Sequence, residues 1–157
     1  EIHERLVGSE MCIRDSITTA TDCGERPALD LFLRAAGLRL LDWDQLPPAQ
    51  ACWLEGRPLP LWDPCDAVPD GEGGTFLRQE DLPEQEGPAL CVHWQRLPAR
   101  QGRLRVALPA LVLGLGCRKG IPAPLVATAV EGLLLRHGLE PRALAALATV
   151  TEKAGEP

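Results

Sequence analysis

Residues 111–122 read LVLGLGCRKGIP, and this stretch decides the fold. Residues 111–115 have strand character and carry no charge. They lead into a turn that holds three glycines: Gly114, Gly116 and Gly120. Because a helical pattern starts at Pro122, the sequence predicts a strand, a tight glycine loop and a helix N-terminus in succession.

A loop of this kind is suited to bind an anion. Glycine permits positive φ and a close approach of the backbone to a ligand, and the first turn of a helix offers unpaired N–H groups. Arg118 and Lys119 add two cations, so the loop suits a carboxylate or a phosphate. The alternative interpretation is a glycine turn that serves only to let the helix pack on its strand.

The spacing of the glycines gives weak support to a nucleotide site. GxGxxxG differs from the dinucleotide fingerprint GxGxxG. The loop also differs from a Walker loop, because Lys119 precedes the last glycine instead of following it.

The composition is that of a soluble globular protein. The chain has 157 residues, of which 45% are hydrophobic and 24% are charged, so one or two small domains are expected. A formal net charge of −6 argues against nucleic acid or an anionic membrane as a partner. The longest apolar run, 107–115, contains Pro109 and is too short to span a bilayer. No secretory signal is visible, so we expect a cytoplasmic location.

The six cysteines do not form a metal-binding pattern. They are widely spread, without a CxxC pair or a cluster of cysteines and histidines: Cys12, Cys23, Cys52, Cys65, Cys91 and Cys117. This spacing argues against a zinc site, and a cytoplasmic location favours reduced thiols.

Residues 1–16 fit nothing that follows them. Within them, VGSEMCIRDS resembles a translated sequencing adaptor. We therefore expect a non-native segment here, with the protein proper starting near Ile17. The alternative is a genuine mobile N-terminal arm.

The sequence from 17 to 62 predicts short strands around one helix. Four elements are expected: a strand at 17–22, a helix at 27–36 ended by Gly37, a strand at 38–41, and a hairpin at 51–62 that turns at 55–58. Trp53 and Trp62 would pack the core. Pro58 and Pro60 place the second arm of the hairpin at a sheet edge.

Residues 63–74, DPCDAVPDGEGG, predict a connector rich in proline and glycine. A strand is expected at 89–94 and a basic, turn-rich stretch at 95–105. His93, in that strand, is interpreted as a half-buried side chain and not as a base. Pro109 marks a predicted domain boundary.

An apolar stripe after the glycine loop predicts a helix that ends at Gly138 and covers one face of a sheet. Its members recur at helical spacing: Leu125, Val126, Ala129, Val130, Leu133 and Leu134. Pro141 opens a predicted short helix that runs through Leu147. The alternation of strands and helices predicts an α/β fold with small, mainly parallel sheets flanked by helices.

Two separate parts of the chain resemble one family. ITTATD followed by PALDLFLRAAG, and LVLGLGCRKG followed by LATVTEKAGEP, resemble the cobalamin-biosynthesis family whose full-length members act as cobalt-precorrin-5A hydrolase. The glycine loop and the ending Thr-x-x-x-Lys-x-x-Glu carry the specific part of the resemblance, whereas 38–105 matches loosely.

The resemblance implies a domain organisation. Residues 17–108 correspond to the end of an N-terminal domain with a middle connecting domain, and 109–157 correspond to a truncated C-terminal α/β domain. Family members extend beyond both ends, so the resemblance implies a fragment whose fold is incomplete at both ends.

The resemblance also implies an activity. The ring A lactone of cobalt-precorrin-5A is opened and acetaldehyde is released, with water as co-substrate. Neither an organic cofactor nor a metal site of the protein's own is implied, because the cobalt is carried by the substrate. The expected partners are this tetrapyrrole and other cobalamin-pathway enzymes or a fused methyltransferase, without nucleic acid or membrane.

The candidate site residues combine the motifs with the resemblance. The candidate catalytic residues are Lys153 and Glu156, as a proton-transfer pair, and Asp22, as a general base. The candidate substrate-binding residues are Gly114, Gly116, Cys117, Arg118, Lys119, Gly120 and Thr149. Structural interpretations stay open: a surface ion pair for Lys153 and Glu156, a turn residue for Asp22, and packing under the loop for Cys117.

Two other functions also stay open. The first is a module that binds a corrin intermediate without catalysis, like a stand-alone relative of the C-terminal domain; the connecting region at 38–105 argues against it. The second is an unrelated nucleotide-binding α/β domain.

Overall fold

The chain folds into two small sheets with three α-helices in the part that the computed structural model describes, which is residues 26–70, 76–84, 87–118 and 120–150. The predicted strand at 17–22 and the predicted non-native segment at 1–16 lie outside these residues. None of the helices in the described ranges is both long and apolar enough to cross a bilayer.

The larger sheet has five strands in the order β1-β5-β4-β2-β3. In chain order they are β1 Arg39–Leu40, β2 Leu59–Trp62, β3 Phe76–Arg78, β4 Ala89–His93 and β5 Arg103–Ala107. β1 is antiparallel to β5, and the other three pairings are parallel. The predicted α/β class with a mainly parallel sheet is therefore confirmed.

Two helices, α1 (Leu29–Ala35) and α2 (Leu46–Leu54), pack against one face of this sheet. Leu29 and Leu33 of α1 are buried, and α1 ends before Gly37, which has φ +77°. The predicted helix and its glycine stop are confirmed. Trp53 of α2 lies between two phenylalanines, with ring centroids 4.9 Å from Phe32 and 5.2 Å from Phe76.

The predicted hairpin at 51–62 is wrong, because its first arm is the end of α2. Pro47 and Pro48 fall in the first turn of α2, where a missing N–H costs nothing. Gly56, with φ +69°, follows the helix end. Trp53 does pack the core, but from a helix.

The predicted edge position of the second arm is also wrong, since β2 lies between β3 and β4. Pro60 is tolerated there because the pairing of β2 with β4 begins one residue later, at Leu61 and Trp62. The donor that Pro60 lacks therefore falls outside that ladder.

Two strands were missed by the sequence analysis. β3 is only three residues long, and polar residues flank it in the sequence. β5 lies in the stretch that was predicted to be turn-rich, and its arginines concealed it. Arg103 is buried, and its guanidinium donates to the carbonyl oxygens of Pro83 over 2.8 Å and Pro98 over 3.2 Å.

The second sheet consists of two parallel strands, β6 (Leu111–Gly114) and β7 (Leu144–Ala148), with helix α3 (Ala123–Arg136) between them in the chain. The predicted strand at 111–115 and the helix ended by Gly138, at φ +63°, are confirmed. The predicted helix from Pro141 through Leu147 is wrong. A single 3₁₀ turn, Pro141–Ala143, precedes β7, because pairing with β6 overrides the helical propensity of LAALA. The domain division at Pro109 stays a prediction.

An ion pair between Asp42 and Arg105 links the segment after β1 to β5. Arg105 donates from Nε to Oδ2 over 2.7 Å and from Nη2 to Oδ1 over 2.6 Å. The two side chains are only 13% and 19% exposed, respectively. Burial alone would raise the pKa of Asp42, but the hydrogen bonds and the charge of Arg105 outweigh it and lower that pKa.

Replacing Asp42 with Asn is expected to lower the free energy of unfolding by about 1–3 kcal/mol at neutral pH, since hydrogen bonds to a charged group are lost. A lowered pKa in the folded state means that the carboxylate stabilises the fold above its usual pKa of 3.8. This contribution disappears as the pH falls through the lowered pKa. When urea unfolding is measured between pH 7 and pH 2, the free energies of unfolding of wild type and D42N should therefore become equal at the acid end.

The control for this comparison is E55Q. Glu55 pairs with Arg57 at the surface, where both side chains are more than half exposed, so little change is expected at any pH. An equal loss in D42N and E55Q would contradict the role given to Asp42.

Gly102 and Gly87 lie where two loops cross at close range. A Cβ at Gly102 would stand 2.3 Å from the Gly87 carbonyl oxygen, and Gly102 has φ +79°. G102A is therefore expected to destabilise the protein by strain plus a clash. The control G37A has a similar φ of +77° but meets no atom within 4 Å, so it should show the strain alone, about 1–2 kcal/mol. Equal midpoints of urea unfolding for the two variants would argue against the close crossing.

Candidate functional site: the glycine loop and its cleft

The carboxyl ends of β6 and β7 meet at one edge of the small sheet, because the strands are parallel. The glycine loop leaves β6 at this edge and Thr149 follows β7. Leu115 N–H donates to the Ala148 carbonyl oxygen over 2.7 Å, and the Thr149 hydroxyl donates to the Leu115 carbonyl oxygen over 3.2 Å. The structure therefore brings the predicted loop residues and Thr149 together, at the edge where ligands of parallel sheets commonly bind.

The space beside the glycine loop is open. A Cβ built at Gly114, Gly116 or Gly120 would have no other atom within 4 Å. Of these three, Gly120 has positive φ, +80°. Gly120 is thus needed for the turn, whereas Gly114 and Gly116 leave room for a ligand close to the backbone.

The start of α3 offers fewer donors than the sequence argument assumed. Pro122 and Pro124 have no N–H. The N–H groups of Leu125 and Val126 are directed to the Pro122 carbonyl oxygen, over 3.0 and 3.4 Å. Anion binding at this edge would therefore depend on loop amides and on the exposed Arg118 more than on the helix N-terminus.

A cleft of about 460 Å³ lies between the glycine loop and α3. None of its lining residues is charged: Leu113, Gly114, Leu115, Gly116, Cys117, Ile121, Leu125, Val126, Ala129, Val130 and Leu133. Its size is within the range of small-molecule sites, and an apolar lining is typical of them. Arg118, next to Cys117 in the chain, places a cation beside the apolar cleft.

A second cleft, of about 530 Å³, extends between α3 and β7. It shares four residues with the first: Cys117, Ile121, Val126 and Val130. Clefts therefore border helix α3 along most of its length, and the helix is not close-packed on the sheet there. Leu134 is the residue of α3 that is fully buried.

The apolar lining of the cleft is the feature of the candidate site that sequence reasoning missed. Leu125, Val126, Ala129, Val130 and Leu133 were assigned to the stripe that covers the sheet, and the structure places them in the cleft wall. Only one signal was available in the sequence: the stripe is wide. A wide stripe is equally typical of a helix buried in a core, so it could not identify a cleft.

The opposite end of this unit is fixed to the five-stranded sheet. Arg39 Nη1 donates to the Arg142 carbonyl oxygen over 3.0 Å, and Arg142 Nη1 donates to the Leu40 carbonyl oxygen over 2.9 Å. Arg96 N–H donates to the Gly138 carbonyl oxygen over 2.8 Å. The 14 residues of α3 span about 20 Å, so the glycine loop lies at the far end from this contact.

His93 is the last residue of β4. It lies in the five-stranded sheet, near the contact with the smaller unit, and not at the glycine loop. Its Nδ1 accepts from the Gln95 N–H over 2.9 Å, and its ring stacks on Trp94 with centroids 4.9 Å apart. Burial lowers the pKa of His93, although the charge of Asp63 opposes this, and a lowered pKa favours the neutral ring. It has the surroundings of a half-buried structural side chain.

Four candidate residues lie outside the described residues: Asp22, Lys119, Lys153 and Glu156. Their roles stay predictions. Val150 is the last described residue before Lys153 and Glu156, two positions beyond β7. Across 26–70, 76–84, 87–118 and 120–150, no group of three His, Cys, Asp or Glu residues could hold a metal ion.

Comparison with known proteins finds one family and one curated relative. Residues 111–157 match the family described as "Cobalamin synthesis G C-terminus". The chain is 29% identical to the cobalt-precorrin-5A hydrolase of Salmonella typhimurium strain LT2, over 163 aligned positions that include 90% of this chain. The chain spans 42% of that relative's length. No solved structure matches.

The two matches confirm the resemblance that was drawn from the sequence motifs. The family match begins at Leu111, the first residue of β6, and contains the glycine loop, α3, β7 and the Thr-x-x-x-Lys-x-x-Glu ending.

Proposed function

We propose that this chain is part of a cobalt-precorrin-5A hydrolase and that its glycine-loop cleft binds the substrate macrocycle. The observation that carries the proposal is that the family match at 111–157 coincides with the unit that forms the cleft. The alignment with the Salmonella hydrolase supports it, because 90% of this chain takes part.

The chemistry of the cleft suits a ligand with two kinds of surface. The uncharged lining favours an apolar ring edge with its methyl groups. The exposed Arg118 can bind a peripheral carboxylate, with Lys119 as its neighbour in the chain. A tetrapyrrole with carboxylate side chains combines both surfaces.

The proposed reaction opens the ring A lactone by attack of water on the acyl carbon, and the bridging carbon leaves with its methyl group as acetaldehyde. Such a reaction requires a group that activates water and a donor that stabilises the oxyanion. Loop amides near Gly116 are suited to the second role. We assign the proton transfers to Lys153 and Glu156, with Asp22 as a further candidate base.

The two alternative functions have less support. A stand-alone binding module does not account for an alignment that extends over 90% of the chain. A nucleotide site would place phosphates beside an uncharged cleft and a helix start that contains two prolines, Pro122 and Pro124. Neither feature favours a polyphosphate.

We further propose a cytoplasmic enzyme without an organic cofactor or a resident metal ion, since the cobalt arrives with the substrate. Enzymes that act before and after it on the same macrocycle, or a fused methyltransferase, are its proposed partners.

The direct test is the release of acetaldehyde from cobalt-precorrin-5A. The assay would use this chain, and also any longer reading frame that contains it in the source DNA. Release above a no-enzyme control is the expected result for the longer protein. Tight binding of the macrocycle without release would favour the binding module instead.

Reversing the charge at Arg118 is expected to weaken macrocycle binding about 5- to 10-fold, because a charge-assisted hydrogen bond at the cleft mouth is lost. R118E would be compared with R136E, which changes the same charge at the other end of α3. Fluorescence or absorbance titration with cobalt-precorrin-5A measures both. Equal affinities of R118E and wild type would remove Arg118 from the site.

Filling the cleft is expected to block binding without unfolding the protein. Ala129 lines the cleft, and A129F places a phenyl ring into it. T128F is the matched control, because Thr128 is the preceding residue of α3 and lines neither cleft. A129F should weaken binding of the macrocycle at least 10-fold, whereas T128F should bind like wild type. Unchanged binding in A129F would place the substrate elsewhere.

A further inference from the structure

Leu115, the first residue after β6, is held at both of its backbone polar groups. Its N–H donates to Ala148 and its carbonyl oxygen accepts from the Thr149 hydroxyl. Both partners lie at the end of β7. The start of the glycine loop is therefore hydrogen-bonded to the end of the neighbouring strand, although 34 positions separate Leu115 from Thr149 in the sequence.

Two residues of the loop beyond Leu115 lack comparable support. Among the described residues, no hydrogen bond is formed by Gly116 or Arg118. Glycine on both sides of Leu115 leaves the backbone free to change direction. The contacts at Leu115 thus fix the backbone where the glycine loop begins.

We propose that Thr149 is a positioning residue, whose hydroxyl holds the Leu115 carbonyl group and thereby orients the glycine loop at the cleft. A hydroxyl has one proton to donate, and here it is directed to Leu115. For Thr149 to donate to the substrate, as the sequence analysis predicted, this contact would have to break. What the oriented loop binds rests on the proposed function.

The same contact gives a physical reason for the threonine in the Thr-x-x-x-Lys-x-x-Glu ending. Thr149 opens this motif, and Lys153 and Glu156 follow it in the chain. Because the Thr149 hydroxyl binds the Leu115 carbonyl group, the conformation of the glycine loop is linked to the start of the segment that carries Lys153 and Glu156. Valine has nearly the same shape but could not do so, because it has no proton to donate.

The test compares amide hydrogen exchange in T149V, T149S and wild type, followed by mass spectrometry of peptides that cover 113–118. T149V should exchange roughly 2- to 10-fold faster there, the range expected for the loss of one hydrogen bond. T149S keeps the hydroxyl and should exchange like wild type. T128V is the matched control, because the exposed Thr128 also donates to a backbone carbonyl oxygen, that of Pro124, over 2.9 Å.

A general loss of stability is distinguished by a second region. Peptides that cover β4 should exchange alike in all variants if Thr149 acts on the loop alone. Equal acceleration at 89–93 and at 113–118 would overturn the proposal. So would unchanged exchange at 113–118, whether or not T149V binds cobalt-precorrin-5A more weakly.

The proposed function and the positioning role can fail separately. If neither this chain nor the longer protein that contains it releases acetaldehyde, the hydrolase proposal fails, while the exchange at 113–118 still decides the role of Thr149. If either does release acetaldehyde, T149V should lower kcat/KM and T149S should restore it. Full activity in T149V together with lost activity in T149S would show that the methyl group matters and not the hydroxyl, and would contradict positioning by hydrogen bonding.

Discussion

The parallel pairing of β6 and β7 is the constraint on which the candidate site depends. Parallel neighbours require a crossover, and α3 supplies it. Because both strands run in the same direction, the glycine loop after β6 and Thr149 after β7 arrive at one edge. The pairing also decides the conformation of Leu144–Ala148, whose alanine and leucine residues would suit a helix. Without this ladder the loop would have no second strand to hold its first residue.

The contact with the five-stranded sheet determines where that edge points. Arg39 and Arg142 each donate to a backbone carbonyl group of the other segment, at the amino end of β7. The carboxyl ends of β6 and β7 therefore face away from the larger sheet. This arrangement explains why the aromatic and titratable groups of that sheet, such as His93, have structural partners. If the proposed site is catalytic, its further catalytic groups must come from parts of the protein other than the described residues of that sheet.

Local sequence patterns were sufficient to predict a helix where apolar residues at helical spacing were followed by a terminal glycine, as in α1 and α3. They failed where the surroundings decided. The hairpin expected at 51–62 begins inside α2, whose first turn contains the proline pair at 47–48. The charged residues of β5 were interpreted as a turn-rich stretch because their carbonyl partners, such as Pro83, lie elsewhere in the chain. The site shows the same division. The motifs predicted which loop residues would come together, but whether an apolar stripe packs on a sheet or lines a cleft depends on how closely the helix is seated, which no local pattern encodes.

The uncharged lining of the cleft restricts the ligands that could bind there more than the spacing of the glycines does. Burying a phosphate or carboxylate among Leu113, Val126 and Leu133 would remove its hydration without providing a counter-charge, which is unfavourable by several kcal/mol. An anionic group is acceptable only outside the cleft, near Arg118. A ligand that satisfies both conditions presents an apolar edge inward and keeps its charges at the periphery. This requirement fits a substituted macrocycle better than a nucleotide, whose charges lie along a chain of phosphates that would have to meet the loop directly.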